Sequence, residues 1–264
     1  MTPIPIDDPA DPRLAPYTAM RERDLVGRAG RFIVEGDVTL RVMVSQKARF
    51  SLESILLSPE RVSGLADILP DAVPVYVADK AVMSAITGFP IHRGVLAVGL
   101  RGLEGALAVP PAPAPALVVG LVGLTNHDNV GGLFRNAAAF GADAVLLDAD
   151  TCDPLYRKAI RVSAGAALTV PFGRLPDGAA CLAFAHHHGL IPLALSPAGG
   201  ETLSDLTPPP RALLLLGTEG PGLPEALMAR ARTIRIAMAP GFDSLNVATA
   251  GALALHHLAA HRLG

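Results

Sequence analysis

Three segments in the second half of the chain place amide, guanidinium, carboxylate and hydroxyl groups directly after apolar runs. The first carries Asn129 and Arg135, the second carries Glu219, and the third carries Ser244 and Asn246. Parallel α/β sheets build their ligand sites where strands end, so polar groups at three such ends predict one shared site. Arg135 offers a permanent cation, which favours a substrate that contains phosphate.

Glycines and a helix start accompany these polar groups. The segment Gly217–Leu223 contains three glycines, which let the backbone turn sharply and approach a flat ligand such as adenine. A helix that opens at Asn129 would have unsatisfied first amides, and such amides attract an anion or a polar substrate atom. Taken alone, Glu219 and Ser244 are equally compatible with capping of the helices that follow them.

The elements that carry these segments follow a proline-rich stretch at residues 108–116, which we interpret as a linker. Apolar runs then alternate with helix-length segments, and this alternation predicts a mostly parallel, doubly wound α/β sheet. The last segment, Ser244–Arg262, predicts a helix with Ser244 as its N-cap. The predicted strands are Leu117–Leu124, Ala144–Asp148, Leu168–Phe172, Leu190–Leu195, Ala212–Gly217 and Thr233–Ala237.

Short apolar runs in the first half predict a small α/β domain, preceded by a helical extension that carries arginines. We see no catalytic constellation in this half. We therefore expect a first domain at residues 1–107, the linker at 108–116 and a second domain at 117–264. The predicted strands of the first domain are Arg31–Glu35, Ser54–Ser58, Val73–Val77 and Val95–Leu100.

Charge and cysteine content limit the function classes. A formal net charge of -2 argues against a protein that coats nucleic acid with its whole surface, so any RNA contact would be confined to a patch. Cys152 and Cys181 are far apart and indicate neither a disulfide framework nor a zinc site, so we expect a cytoplasmic protein. No apolar run approaches the roughly 18 residues of a membrane-spanning helix. The candidate RNA-binding patch comprises Arg21, Arg23, Arg28, Arg31, Arg157 and Lys158.

The order and composition of the three segments resemble the motifs of the SpoU (TrmH) branch of the SPOUT methyltransferases. The matching positions are Asn129, Arg135, Phe140 and Gly141 in the first motif, Gly217–Leu223 in the second, and Ile236–Met238 with Ser244–Val247 in the third. Two positions depart from the family pattern. Ala237 stands where proline is usual, and Thr218 stands where asparagine, serine or alanine is more usual.

The resemblance extends into the first half of the chain. Phe32–Gly36 and His92–Ala97 are similar to the substrate-binding domain that precedes the catalytic domain in many members. The resemblance therefore covers nearly the whole chain. It implies a small L30e-like first domain, a deep trefoil knot in the second domain and a homodimer formed through that second domain.

The activity that the resemblance implies is transfer of a methyl group from S-adenosylmethionine to a ribose 2′-hydroxyl in RNA. The added first domain favours ribosomal RNA over transfer RNA as substrate. Arg135 would grip a phosphate and stabilise the developing alkoxide, with Glu219 beside it to aim the cation. The other residues implied to orient the arginine and the ribose are Asn129, Ser244 and Asn246. The residues implied to bind the cofactor are Gly217, Gly220, Ile236, Met238 and Leu245.

Three alternatives remain at the level of sequence. A Rossmann-type dehydrogenase would use Leu117–Leu124 and Asp148, but the chain has no G-x-G-x-x-G motif. An RNA-binding dimer of the same fold that has lost transfer activity is the main alternative. A metal site is not expected, because His186–His188 are consecutive and point to different sides of a helix. His257 and His261 have a compatible spacing but lack an accompanying carboxylate.

Overall fold

The computed structural model describes residues 2–18, 30–88, 90–102, 107–260 and 262. Contacts divide the chain into two compact units, Met1–Glu104 with Leu155–Thr169, and Gly105–Pro154 with Val170–Gly264. The segment Leu155–Thr169 thus groups with the first unit although it lies within the second half of the sequence. Within the described ranges, no helix has the length and apolar character needed to cross a membrane.

Twelve strands and eight α-helices are named here in chain order for the described residues. The strands are β1 (Ile4–Pro5), β2 (Arg31–Glu35), β3 (Ser51–Leu57), β4 (Val75–Val77), β5 (Val95–Leu100), β6 (Ala116–Leu121), β7 (Ala144–Leu147), β8 (Phe172–Arg174), β9 (Ile191–Leu195), β10 (Glu201–Thr202), β11 (Arg211–Leu216) and β12 (Arg232–Arg235). The helices are α1 (Asp37–Met43), α2 (Pro59–Leu65), α3 (Lys80–Thr87), α4 (His127–Ala139), α5 (Arg157–Val162), α6 (Gly178–His187), α7 (Glu225–Met228) and α8 (Val247–Ala259). Short 3-10 helices lie at Pro12–Tyr17 and Ala166–Leu168.

The first unit is built on a mixed five-stranded sheet in the order β1-β4-β3-β5-β2. Strand β5 is antiparallel to both β3 and β2, whereas β1, β4 and β3 are parallel. The Phe32 ring covers Gly99, where an added Cβ would lie 2.3 Å from a ring atom. The four strands predicted for this half are confirmed, with identical bounds for β2 and β5. The two-residue edge strand β1 has no apolar pattern that would predict it.

The second unit is built on a seven-stranded sheet in the order β10-β12-β9-β11-β6-β7-β8. Every pairing in it is parallel, which confirms and sharpens the expected mostly parallel α/β sheet. All residues of β6, β7 and β11 are buried. Helices cover both faces of such a sheet, which explains why its central strands are continuous apolar runs rather than alternating ones.

One strand predicted for the second half of the chain, Leu168–Phe172, is wrong. Leu168 ends the 3-10 helix, and β8 begins only at Phe172. The helix follows Gly165, which has a φ of +86°, a conformation that glycine adopts at no steric cost. A short buried apolar run has the same composition whether it pairs as a strand or packs as a turn, so periodicity could not separate the two.

The starts of α4 and α8 differ from the expected ones. Helix α8 is capped by Asn246 rather than Ser244, because the Asn246 Oδ1 accepts the amides of Ala248 at 2.9 Å and Thr249 at 3.2 Å. Helix α4 begins at His127, two residues before the expected start at Asn129, and is capped by Asn126.

The amides at the expected start of α4 are therefore not free. The Asn126 carbonyl accepts the amides of Asn129 and Val130, both at 3.1 Å, so the predicted unsatisfied amides are wrong. Glu219 caps no following helix either, since the N-cap of α7 is Pro224. The capping alternative for Glu219 and Ser244 is thus wrong for both residues.

Helices α4 and α8 pack side by side and run in the same direction. Gly132 lies against Ala248 near the helix starts, where an added Cβ would lie 3.0 Å from the Ala248 Cβ. The rings of Phe140 and His256 meet near the helix ends, with 5.6 Å between their centroids. An added Cβ at Gly251 would lie 2.4 Å from a leucine side chain of α4. These glycines let the helices approach closely and bring their N-termini together.

Candidate active site

A cavity of about 350 Å³ opens in the second unit where β9, β11 and β12 end and α8 begins. Its walls come from the turn after β11, the segment after β12, the start of α8 and the residues Leu195–Pro197 after β9. The structure therefore brings the second and third sequence segments into one site. The five residues expected to bind a cofactor all lie in this lining: Gly217, Gly220, Ile236, Met238 and Leu245.

The turn after β11 needs its glycines. An added Cβ at Gly217 would lie 2.4 Å from the Gly222 carbonyl carbon and 2.4 Å from the Leu223 nitrogen. Thr218 closes the turn, since its carbonyl accepts the Gly222 amide at 3.1 Å and its Oγ1 donates to the Gly222 carbonyl at 3.2 Å. Gly220 and Gly222 have φ angles of +90° and +71°, in the region that favours glycine. At these three glycines the turn presents only backbone to the cavity.

Asn246 joins the first sequence segment to this cavity. Its Oδ1 is occupied by the two amides of α8, so its Nδ2 faces away from the helix and donates to the Asn129 Oδ1 at 2.8 Å. This contact fixes the orientation of the Asn129 amide. Asn129 is only 4% exposed, and its Nδ2 has no hydrogen-bond partner in the part of the chain that the structure describes. A buried donor left in this state costs about 1–3 kcal/mol, and a ligand oxygen or an ordered water would satisfy it.

Arg135, Glu219 and Ser244 occupy different positions relative to the cavity. Glu219 and Ser244 are exposed and belong to its lining, whereas Arg135 is exposed on α4 and does not. Among the described residues, Arg135 and Glu219 form no ion pair with each other. The hypothesis that Glu219 aims Arg135 stays a prediction. Ser244 donates to the Asp243 carboxylate at 3.2 Å.

The expected RNA-binding cations lie in the first unit or outside the described residues. Arg31 makes a bidentate ion pair with Glu53, with N–O distances of 2.6 and 3.0 Å. Arg157 donates to the Glu35 carboxylate at 2.8 Å and so ties α5 to β2. Lys158 is exposed. Arg21, Arg23 and Arg28 lie outside the described residues.

Asp148, which suggested a dinucleotide site, has a structural role. Its buried carboxylate accepts the Gly123 amide with both oxygens at 3.0 Å, and one oxygen also accepts the Thr151 amide at 2.8 Å and hydroxyl at 2.6 Å. These bonds hold the loop between β6 and α4. The carboxylate is therefore not available to a ribose, which argues against the dehydrogenase alternative.

Neither cysteine thiol forms a second reactive centre. Burial raises the pKa of the Cys152 thiol to about 11 and that of the Cys181 thiol to about 12. Such thiols are poor nucleophiles near neutral pH. Among the described residues, no group of three or more histidine, cysteine or acidic side chains is arranged to hold a metal ion.

Sequence reasoning missed the wall at Leu195–Pro197. The signal was present, because strand β9 ends at Leu195 and a Pro197 turn with two glycines follows at Gly199 and Gly200. The carboxyl ends of parallel strands lie at the same edge of a sheet, so the turn after β9 is expected beside the turns after β11 and β12.

Comparison with known proteins places this site in a family. Residues 116–256 match the SpoU rRNA Methylase family. An uncharacterized tRNA/rRNA methyltransferase of Mycobacterium bovis is 38% identical over 260 residues, which cover 94% of this chain and 89% of that protein. The chain belongs to the SpoU rRNA methylase family. It is an RNA 2′-O-ribose methyltransferase with an added N-terminal domain. The SpoU family uses S-adenosylmethionine as its methyl donor.

Solved structures share the fold over the whole chain. The crystal structure of an RNA 2′-O ribose methyltransferase has a TM-score of 0.80 and 26% identity, and the match covers 99% of this chain and 100% of that one. The AdoMet-bound rRNA methyltransferase from Sinorhizobium meliloti has a TM-score of 0.81 at 21% identity, with 98% of each chain covered. This second likeness is one of fold.

The cavity suits the methyl donor of this SpoU enzyme. Its volume lies within the roughly 300–1,000 Å³ of small-molecule sites. Leu216, Ile236 and Leu245 give it apolar walls, and the glycines of the turn after β11 add backbone groups to the lining. Apolar walls with backbone donors and acceptors fit an adenine ring, which is flat and has polar edges.

Proposed function

We propose that this SpoU enzyme methylates a ribose of ribosomal RNA, with the cavity as its cofactor site and Asn129 and Arg135 acting on the RNA. The observation that carries the proposal is the Asn129 Nδ2, a buried donor without a partner among the described residues. It lies next to Asn246, which lines the cavity. An RNA oxygen that enters beside the cavity would satisfy this donor.

The chain's own residues would act by positioning and electrostatics. Bound S-adenosylmethionine supplies a methyl group on a positively charged sulfur. Asn129 would donate to a ribose or phosphate oxygen and so hold the attacking 2′-oxygen in line. A guanidinium is permanently protonated and cannot act as a simple base, so Arg135 would grip the neighbouring phosphate and stabilise the developing alkoxide. Glu219 and Ser244, at the cavity edge, would orient the ribose and the arginine.

We also propose a homodimer formed through the second unit. Phe242 is 67% exposed, Leu253 on α8 is 46% exposed, and Leu245 between them is 37% exposed. Apolar groups of this size on one helix and its preceding loop favour burial against another protein surface. Arg135 does not line the cavity of its own chain, so a dimer that brought it to the partner's cavity would complete both sites.

Co-expression tests this composite site. Arg135→Ala and Asn246→Ala are each expected to abolish turnover. In a mixed dimer one site would keep both groups, so co-expression of the two variants is expected to restore about a quarter of the wild-type activity. If each protomer carries a complete site of its own, co-expression restores nothing.

The preference for ribosomal RNA rests on the first unit and on the family. A separate RNA-binding domain grips a structured RNA by its shape and phosphates while the second unit reaches one ribose. Residues 1–107 would supply that grip, residues 108–116 the connection and residues 117–264 the chemistry. A cytoplasmic location suits Cys152 and Cys181, which are both free thiols. The trefoil knot remains a prediction from the family resemblance.

The deciding experiment uses labelled S-adenosylmethionine with ribosomal and transfer RNA that lack their own 2′-O-methylations. We expect a discrete labelled ribose in ribosomal RNA and no label with Arg135→Ala. Label in transfer RNA alone would transfer the proposal to that substrate. Cofactor binding without label in any RNA would favour an RNA-binding dimer that has lost transfer activity.

A further inference from the structure

We propose that Arg235 is a positioning residue that sets the spacing between two parts of the cavity lining. It lies at the end of β12, directly before Ile236 and three residues before the next stretch of lining at Met238. Its guanidinium reaches the turn after β9, whose first residues line the same cavity. The inference rests on the proposed assignment of the cavity as the cofactor site.

The contact between Arg235 and the turn is direct. The Nη1 atom donates to the Gly199 carbonyl at 2.7 Å and to the Gly200 carbonyl at 3.1 Å. Hydrogen bonds from a charged donor are roughly twice as strong as those between neutral groups. Arg235 is half-buried, so water screens these bonds less than it would on an open surface. One side chain therefore holds two successive peptide groups of the turn.

The turn is also pressed against the backbone of β12. An added Cβ at Gly199 would lie 2.3 Å from the Ile234 carbonyl carbon and 2.5 Å from its oxygen. The same oxygen accepts the Ser196 amide at 2.9 Å, and the Gly200 amide donates to the Thr233 Oγ1 at 3.0 Å. Ser196 is thus anchored at one end of the turn and Gly200 at the other.

These anchors affect the cavity because the turn after β9 and the segment after β12, which they join, both contribute residues to its lining. Ser196 and Pro197 line it on the β9 side, and Ile236 lines it on the β12 side. Without the guanidinium, the carbonyls of Gly199 and Gly200 would turn towards water, and the lining at Pro197 would lose its fixed distance from Ile236. A preformed cavity binds its ligand without having to order the turn, so loss of the contact is expected to weaken binding rather than the reaction itself.

The same strand provides a matched control. Arg232 also donates to the segment after β9, but its partner is the Glu201 carboxylate, with N–O distances of 2.6 and 2.7 Å. Arg232 is more exposed and touches neither the turn nor the cavity lining. A surface ion pair of this kind contributes little to stability. Arg232→Met removes the same charge from the same strand without releasing the turn.

Calorimetric titration with S-adenosylhomocysteine tests the inference without any reaction. We expect Arg235→Met to raise Kd about tenfold, which corresponds to about 1.4 kcal/mol. The KM for S-adenosylmethionine should rise by a similar factor, and kcat should stay within about twofold at saturation. Arg232→Met should leave Kd within about twofold of the wild-type value. Amide hydrogen exchange should become faster at Gly199 and Gly200 in the Arg235 variant alone.

Several results would overturn the inference. They are a Kd of Arg235→Met that matches the wild type, an equal rise in Arg232→Met, or a fall in kcat with an unchanged Kd. If Arg235→Met does not fold, Arg235→Gln serves instead, since glutamine stays polar but carries no charge and has a shorter side chain than arginine. An intermediate rise in Kd is then expected, and no rise would reject the role. Wild-type protein that does not bind S-adenosylhomocysteine would instead reject the cofactor site itself.

Discussion

Exchange of Asn246 for aspartate should separate the stability of the enzyme from its turnover. In the wild-type chain, the Asn246 Oδ1 caps α8 and the Nδ2 donates to the Asn129 Oδ1 at 2.8 Å. A carboxylate keeps the cap but presents a second acceptor to Asn129. The Asn129 amide would then rotate so that its Nδ2 donates to the new carboxylate. The Asn129 atom left for the RNA would then be Oδ1, which accepts hydrogen bonds, so the donor proposed for the RNA is lost.

The expected change in stability is small. Charge at a helix N-terminus adds about 0.3–1 kcal/mol, and a hydrogen bond to a charged group is worth about 1–2 kcal/mol more than a neutral one. Partial desolvation of the carboxylate oxygen that faces the buried Asn129 amide opposes these gains, so the free energy of unfolding should change by less than about 1 kcal/mol. Asn129 is proposed to hold the attacking 2′-oxygen in line, and misplacement of a reacting group costs about 100-fold in rate, so kcat should fall about 100-fold.

Urea denaturation and single-turnover methylation measure the two quantities. Asn246→Ala is the comparison, because it removes the cap at about 0.5–2 kcal/mol and also leaves the Asn129 amide without its partner. It should therefore be both unstable and inactive. Asn126→Ala removes only the cap of α4 and should cost about 1 kcal/mol with turnover retained. An Asn246→Asp enzyme with kcat within threefold of the wild-type value would refute the role given to the Asn129 donor.

Three further variants or treatments have clear expected outcomes. Gly217→Ala should abolish S-adenosylhomocysteine binding and lower the free energy of unfolding by about 1–3 kcal/mol, because its Cβ would meet backbone at 2.4 Å. Gly64→Ala is the control, since an added Cβ there has no atom within 4 Å, and it should have neither effect. Thermal melts measure the stability, and calorimetric titration measures the binding. Asp148→Asn should lower the free energy of unfolding by about 2–4 kcal/mol, since its amide would face the Gly123 N–H. Urea denaturation measures this change, and a free energy of unfolding equal to that of the wild type would contradict the prediction. Burial and then the neighbouring Asp153 raise the pKa of the Cys152 thiol to about 11. Its alkylation at pH 8 should therefore be about 100-fold slower than that of an ordinary thiol and should accelerate as the pH approaches 11. Mass spectrometry of the alkylated protein measures both rates.

The polar segments of the second half could be found from the chain alone because their signals are local. Strand ends, glycine turns and the residues between them lie within a few positions of one another, and an all-parallel sheet requires that several strand ends share an edge. This is why Gly217, Gly220, Ile236, Met238 and Leu245 all lie in one cavity lining. Long buried strands such as β6 and β11 could also be predicted from the sequence, since their apolar runs lie between clear turn signals.

Helix starts and one short strand were harder to predict from the sequence because competing local signals were nearly equal. Ser244 and Asn246 are both good capping residues and lie two positions apart, so residue type does not decide which of them caps α8. The buried run before β8 had no periodicity that distinguishes a 3-10 helix from a strand. Local propensity therefore left both cases open.

Contacts between residues far apart in the sequence carry information that no local pattern contains. The hydrogen bond from Asn246 to Asn129 spans 117 positions, and it alone determines which face of the Asn129 amide is free. The contacts of Arg235 with Gly199 and Gly200 span 36 and 35 positions, and nothing in the residues around Arg235 distinguishes it from Arg232. Residue type and order select the chemistry and the strand ends, because these depend on neighbours in the chain. The orientation of each donor and the spacing of the walls depend on which distant segments the folded sheet brings together.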